Sequence, residues 1–355
     1  MQKVSFANNK SPFYAALNKE VESYFKQKNI SKNGNLALYL KTVIFLSLTV
    51  VLYMWLVFNT PVWYIAIPAA ALLGMNQAFI GFNIMHDACH GSYSRKKWVN
   101  DLLGYTMNFL GSNAFIWKTK HNVVHHTYTN IDGIDDDIMK IPVLRHCETQ
   151  KKMKMHRYQH IYSVLIYALT IHFWVWLMDF IKYFSGKVVV TEIRNFTVKE
   201  HVIFWVSKAW YLGAYIVLPW YVLGFWPFFI GFMVMNALFG LTMSVVFQLA
   251  HVVEKAHFEE VKMGQDKTIN EEWAVHQVRT TCNFAINNRI VSWFLGGLNY
   301  QIEHHLFPKV SHVHYPHISR IVADVCQRHN VTYNYYPTMG EAVVSHFKTM
   351  RDLGR

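Results

Sequence analysis

The sequence predicts an all-α integral membrane fold: four transmembrane helices in two hairpins, interfacial helices, and a cytosolic helical cap. Three observations carry this. Of 355 residues, 52% are hydrophobic and 16% aromatic against 16% charged, which is apolar and charge-poor beside an ordinary soluble domain. Thr42 to Met85 and Ala209 to Val253 hold no Asp, Glu, Lys or Arg, and each is about twice the roughly 20 residues that a helix needs to cross a bilayer. The 20 histidines gather at the ends of those two runs rather than spreading evenly.

Residues 1–41 form a cytosolic N-terminal segment with seven lysines from Lys3 to Lys41 and no signal peptide. Residues 42–85 are the first hairpin, broken at "FNTPVW" around Pro61. Residues 86–208 are a cytosolic and interfacial insert. Within it, Ile161 to Met178 is uncharged but short for a crossing, with His172 at its centre. Crossing there would put the regions before and after it on opposite faces, so it is expected to lie in the interface. Residues 209–253 are the second hairpin, broken at "LGFWPF" around Pro227, and residues 254–355 are a cytosolic tail. Insert and tail are expected to fold together as one integrated domain with the hairpins.

Lys and Arg precede the first run and follow the second and fourth crossings, while neither hairpin turn carries any. The positive-inside rule then places both termini and Asp87 to Lys208 in the cytoplasm. A net charge of +12 calls for no nucleic acid, since anionic headgroups suffice as its partner. Cys89, Cys147, Cys282 and Cys326 form no C-x-x-C pair, which fits a reduced compartment. There is no internal repeat beyond the paired hairpins and no low-complexity tract.

The histidines carry the chemistry. "HDACH" sets His86 and His90 four apart, directly after the second crossing, so that a continuing helix aims both rings at one point. "HNVVHH" does the same with His121 and His125 and adds His126, and "QIEHH" contributes His304 and His305. His251 ends the fourth crossing as His86 ends the second. Eight imidazoles on one membrane face imply a metal site, and eight exceed what one zinc needs, which points to two ions. Imidazole suits iron, zinc, copper and nickel alike. A zinc-protease H-E-x-x-H is absent, because Asp87 stands where its glutamate would. A haem would take opposed single histidines, and a metal transporter would place its ligands mid-bilayer.

H-D-x-x-H, H-x-x-x-H-H and Q-x-x-H-H, in this order with a hydrophobic hairpin before the third, resemble the three histidine boxes of the membrane fatty acid desaturases. "HHTYTN" and "EHHLFP" strengthen the likeness, which spans roughly Thr42 to Thr349. The resemblance implies four crossings and a cap enclosing a bent acyl tunnel. It also implies a non-haem centre of two iron ions with O2 as co-substrate and electrons from an external donor. His86, His90, His121, His125, His126, His251, His304 and His305 would hold the irons. Asp87 and Glu303 would then steady imidazole tautomers.

Glutamine at the head of the third box, Gln301, is typical of the front-end group, which inserts a double bond between the carboxyl end and an existing one, and of some sphingolipid relatives. Gln301 is expected as a ligand or near-ligand. The expected activity is O2-dependent insertion of a cis double bond at position 5 or 6 of an unsaturated acyl chain carried on a lipid or coenzyme A. A related di-iron hydroxylase is the alternative, and a non-catalytic membrane metal-binding or transport protein the alternative of another class.

Many front-end relatives carry a fused cytochrome b5-like domain with a His-Pro-Gly-Gly haem motif. That motif is missing here, so a separate ferredoxin or cytochrome b5-like protein with its reductase is expected to supply electrons. Lys96, Lys97, Lys151, Lys152 and Lys154 would steer such an acidic carrier or meet lipid headgroups. Asn130 to Met139, with four aspartates, lacks the terminal glutamate of a calcium loop and is expected to be a solvated turn near the substrate mouth. Trp117, Trp273 and Trp293 would wall the tunnel or pack in the core. A bacterial plasma membrane or an endoplasmic reticulum fits the pattern equally.

Overall fold

Proline at the first position and a left-handed Asn29 (φ 49°) bound a basic helix, α1 (Pro12–Lys28). It opens a computed structural model that describes residues 4–7, 11–138, 142–261 and 266–355; Lys3, Lys10 and Met139 lie outside them. The fold is all-α and integral to the membrane. Asn35 accepts from the Leu38 N–H at 3.3 Å and starts α2 (Leu36–Phe58). After the turn at Pro61, α3 (Trp63–His90) packs back along α2.

Three further helices are long and apolar enough to cross: α4 (Lys154–Ser185), α5 (Val198–Leu223) and α6 (Phe225–His251). Their bounds depart from the hydropathy pattern in two places. The break between α5 and α6 is Gly224 (φ 78°), while Pro227 sits in the first turn of α6, where a missing N–H leaves no bond unmade. And α5 begins at Val198, not Ala209, because Thr197 and Glu200 form a capping box there. Lys208 is therefore inside the helix. Its ammonium meets Asp179 Oδ2 at 2.8 Å and the carbonyls of Gly111 and Val175 at 2.7 and 2.8 Å. Breaking such a buried pair from one side costs about 3–5 kcal/mol, so a lysine can end a charge-free run without ending a helix.

Helix α4 adds a fifth apolar helix to the four of the two hairpins. Both of its ends touch residues outside the hairpins: the Gln159 amide donates to the Met350 carbonyl at 2.7 Å, and Lys182 meets Asp136 at 2.5 Å. Glycine sets how closely the long helices approach. A side chain at Gly74 would strike the Met235 carbonyl of α6, and one at Gly240 would strike the carbonyls of Tyr167 and Ala168 in α4. Outward faces stay apolar, and Trp63, Tyr64, Tyr221 and Trp226 stand exposed around the two hairpin turns, as interfacial aromatics do.

The tail supplies α7 (Gln301–Leu306), α8 (Tyr315–Arg328) and α9 (Met339–Gly354). Phe13, Leu17, Val21 and Phe25, spaced on one face of α1, pack against Ile318, Val322 and Val325 of α8. Val4–Phe6 pairs in parallel with Lys267–Ile269, which ties the N-terminal segment to the tail. Insert, tail and N-terminal segment thus close over the ends of α3 and α6.

Candidate metal centre

Helix α3 widens into a π turn at Gly81–Met85, then returns to α geometry at His86–His90, which stacks those two histidines one turn apart. Thr119–His125 is itself π-helical, so His121 and His125 stand on a wider turn than the α spacing implies, their rings stacked at 5.2 Å and 22°. His251 is the last residue of α6, and α7 carries His304 and His305. Imidazoles from four separate elements meet.

They meet as two groups. His86, His90, His121 and His304 can each bring one ring nitrogen within 4.8 Å of the others, and His125, His251 and His305 do likewise. His126 lies between, with ring centroids 4.5 Å from both His304 and His305. All eight expected histidines are therefore present in one cluster.

The ring nitrogens test whether this cluster suits metal. His125 Nδ1 is 3.1 Å from both carboxylate oxygens of Asp135 and 3.2 Å from Asp137 Oδ2. His305 Nδ1 is 2.9 Å from Gln277 Oε1 and 3.2 Å from Thr129 Oγ1, and His304 Nδ1 is 3.3 Å from the Tyr315 hydroxyl. Each of these rings is pinned by Nδ1, which leaves its Nε2 without a protein partner. His90 Nε2 and both nitrogens of His251 are also unpartnered among the described residues. Buried polar atoms are rarely left so, because each unmade bond costs about 1–3 kcal/mol. Two cations, each taking one nitrogen per ring, would satisfy all of them but one nitrogen of His251.

Protonation agrees. Burial, with neighbouring imidazoles adding to it, holds His121, His126, His304 and His305 well below the ordinary histidine range, so each ring is neutral, the form that binds a metal. His125 differs: burial alone would lower it, but Asp135 and Asp137 outweigh that and raise it.

Other expected residues take different places. Asp87 reaches no box histidine; its Oδ2 accepts from Ser311 at 2.6 Å and lies 3.0 Å from His312 Nδ1, whose other nitrogen is 3.2 Å from Lys41 Nζ. Glu303 likewise accepts from Asn283 and Tyr333, both at 2.8 Å, and burial pushes its carboxyl up to about 7. The imidazole-holding carboxylates are Asp135 and Asp137 instead.

That corrects the solvated-loop expectation for Asn130 to Met139. Asp132, Asp135 and Asp136 are buried, because Lys120 and Lys182 enter the loop and pair with Asp136 and Asp137 at 2.5–3.4 Å. Gln301 is buried one turn before His304 and His305, with its amide nitrogen unpartnered among the described residues. Gln277 and Tyr315 carry no motif, and nothing in their spacing marks them.

A half-open cavity of about 190 Å³ runs along α4 and α6 to this cluster, with His121 and His251 in its wall. Trp117 lines it, whereas Trp273 donates to the His126 carbonyl at 3.0 Å and Trp293 packs on Phe45. On the opposite side His90, the one box histidine that is not fully buried, floors a surface depression rimmed by Arg95, Lys97, Asp101 and Lys118.

Residues 61–337 match the family model described as fatty acid desaturase. The chain is similar to a sn-1 linoleoyl-lipid 6-desaturase of Arthrospira platensis, 36% identical over 96% of this chain and 92% of the relative. A sn-1 linoleoyl-lipid 6-desaturase of Synechocystis sp. is 34% identical over 98% of this chain and 96% of its own length. An acyl-lipid (8-3)-desaturase of Physcomitrium patens is 34% identical over 96% of this chain and 72% of its own length.

Proposed function

The chain belongs to the fatty acid desaturase family, and from that premise we propose that it is a front-end acyl-lipid desaturase working at a di-iron centre. The observation that carries this reading is the cluster of unpartnered imidazole nitrogens beside a half-open, largely apolar cavity. An unactivated methylene offers neither acidity nor polarity, so protein groups alone cannot remove its hydrogens. When bound, two irons with O2, two external electrons and two protons would supply the oxidising power, so that two hydrogens are lost from adjacent carbons as an alkene forms and O2 is reduced to two waters.

The protein's own residues do the rest. His86, His90, His121 and His304 would hold one iron, His125, His251 and His305 the other, with His126 between them. Asp135 keeps the His125 Nδ1 proton in place, and Gln277 that of His305, so each Nε2 stays free for metal. Phe247, Tyr167 and Trp174 line the cavity and keep water from an extended chain lying past His251. The names of the relatives support a linoleoyl or similar unsaturated chain and a new bond at position 5 or 6.

Both ends of α4 touch cap residues, which supports a helix lying along the membrane face and leaves four crossings, with the centre on the cytoplasmic side. A crossing would part those ends by about 30 Å of hydrocarbon. An acidic ferredoxin or cytochrome b5-like protein would deliver electrons over the depression at His90, where Lys97 and neighbouring Lys96 are exposed; Lys151, Lys152 and Lys154 are also exposed, at the start of α4. The test is product analysis by gas chromatography after linoleoyl lipid is fed to cells expressing the chain. A new alkene between the carboxyl end and the existing double bonds is the expected result, and a hydroxylated chain without it sinks the reading.

A further inference from the structure

A front-end enzyme counts from the carbonyl end of its substrate. Methylenes slide along an apolar tunnel with nothing to mark their number, so a fixed count requires a polar group that grips the one polar atom of an acyl chain, its carbonyl oxygen. That group must face the cavity, be buried, and have a donor free.

His146 meets these conditions. It is 5% exposed, it lines the cavity that also holds His121 and His251, and neither of its ring nitrogens has a partner among the described residues. The charged side chains on the wall are committed: Lys120 and Lys182 are paired with Asp136 and Asp137. The backbone holds His146 in place without using the ring, because its N–H donates to Gln150 Oε1 at 2.8 Å.

We propose that His146 is the positioning residue for the reaction, its ring N–H donating to the acyl carbonyl and thereby setting how many carbons separate that carbonyl from the metal centre. Burial, with the nearby His346 and His156, pulls this imidazole down to about 4, so at neutral pH it carries one N–H and one lone pair. The shared chemistry is an acyl carbonyl, whether the oxygen ester of a membrane lipid or the thioester of an acyl-coenzyme A. This assignment rests on the desaturase reading above.

The experiment uses the iron-loaded full chain in lipid nanodiscs with a reducing system. It compares a linoleoyl glycerolipid, linoleoyl-coenzyme A, and an ether lipid in which a methylene replaces the linoleoyl carbonyl. Wild type is expected to place one double bond in the ester or thioester substrate, and whichever of the two is turned over names the carrier. The ether should raise KM about tenfold, the scale of losing one buried hydrogen bond, and scatter the new bond over neighbouring positions. His146→Leu should do the same to the ester substrate, keep both irons, and no longer distinguish ester from ether, while His146→Gln, which retains a donor, should recover most of the positional fidelity.

The ether comparison needs no variant, so it decides even where His146→Leu does not fold. Wild type that desaturates ester and ether at the same position with equal KM overturns the anchor and leaves the desaturase reading standing. So does a folded His146→Leu with unaltered position and KM. Wild type that forms no alkene from either carrier overturns both.

Discussion

His86, His90, His121 and His304 on one side and His125, His251 and His305 on the other are made of the same ligand in different surroundings. Both groups reach the substrate cavity, one through His121 and the other through His251. Only the first reaches the outer surface, through His90 and its basic rim. Carboxylates contact a ring of the second directly, with Asp135 and Asp137 against His125 and Lys120 behind them, while Asp137 also lies within 4.8 Å of His121 of the first. The first is steadied by a neutral phenol, Tyr315, on His304. Residue type therefore does not distinguish the two groups; access and the charge behind the rings do. Under the proposed function that difference would give electron arrival to the first group and a more strongly donating imidazole to the second.

Removing a ligand from the smaller group should break the pair most completely. His251→Ala leaves two imidazoles there, so iron should fall to roughly one per chain and alkene formation by more than about 100-fold, with the protein still in the membrane. Metal analysis of the purified variant beside product yield checks this; full iron and full activity would make His251 a spectator.

Charge behind the ligand comes next. Asp135→Asn keeps the shape but removes the anion that raises His125, and should cost about 10–100-fold in turnover or in iron retained against a chelator. Tyr315→Phe performs the matching operation behind the other group and removes only a neutral bond of 3.3 Å, so a loss under about tenfold is expected. Equal losses in the two variants would erase the asymmetry drawn above.

The smallest effect belongs to the surface. Lys97→Glu combined with Lys118→Glu should raise KM for an acidic electron donor by a few-fold and flatten its dependence on salt, while iron content stays at the wild-type value. Donor titrations at two ionic strengths measure it, and an unchanged salt dependence would move electron arrival away from His90.

Sequence patterns reveal the box histidines because a spacing of four on a helix aims rings at one point, and because His86 and His251 each end an apolar run. They mislead at Asp135 and Asp137. Four aspartates close together are ordinarily solvated, and only Lys120 and Lys182, the latter distant in the chain, make burial affordable. The same holds for Lys208, which reads as the end of a cytosolic insert until Asp179 appears beside it inside the fold. Gln277 meets His305, and Tyr315 meets His304, across packing contacts that no period or motif encodes.

The amino-acid order alone determined the class of fold, the apolar helix pairs and which histidines would cluster, because hydropathy and helical spacing act over one or two turns of chain and need no distant partner. Tertiary structure alone decided how seven of the eight imidazoles fall into two groups with His126 between them, which carboxylates stand behind them, and where the cavity leaves His146 unpaired. Those are properties of side chains far apart in the chain brought within a few ångströms, and burial and electrostatics at that range depend on what else has arrived there.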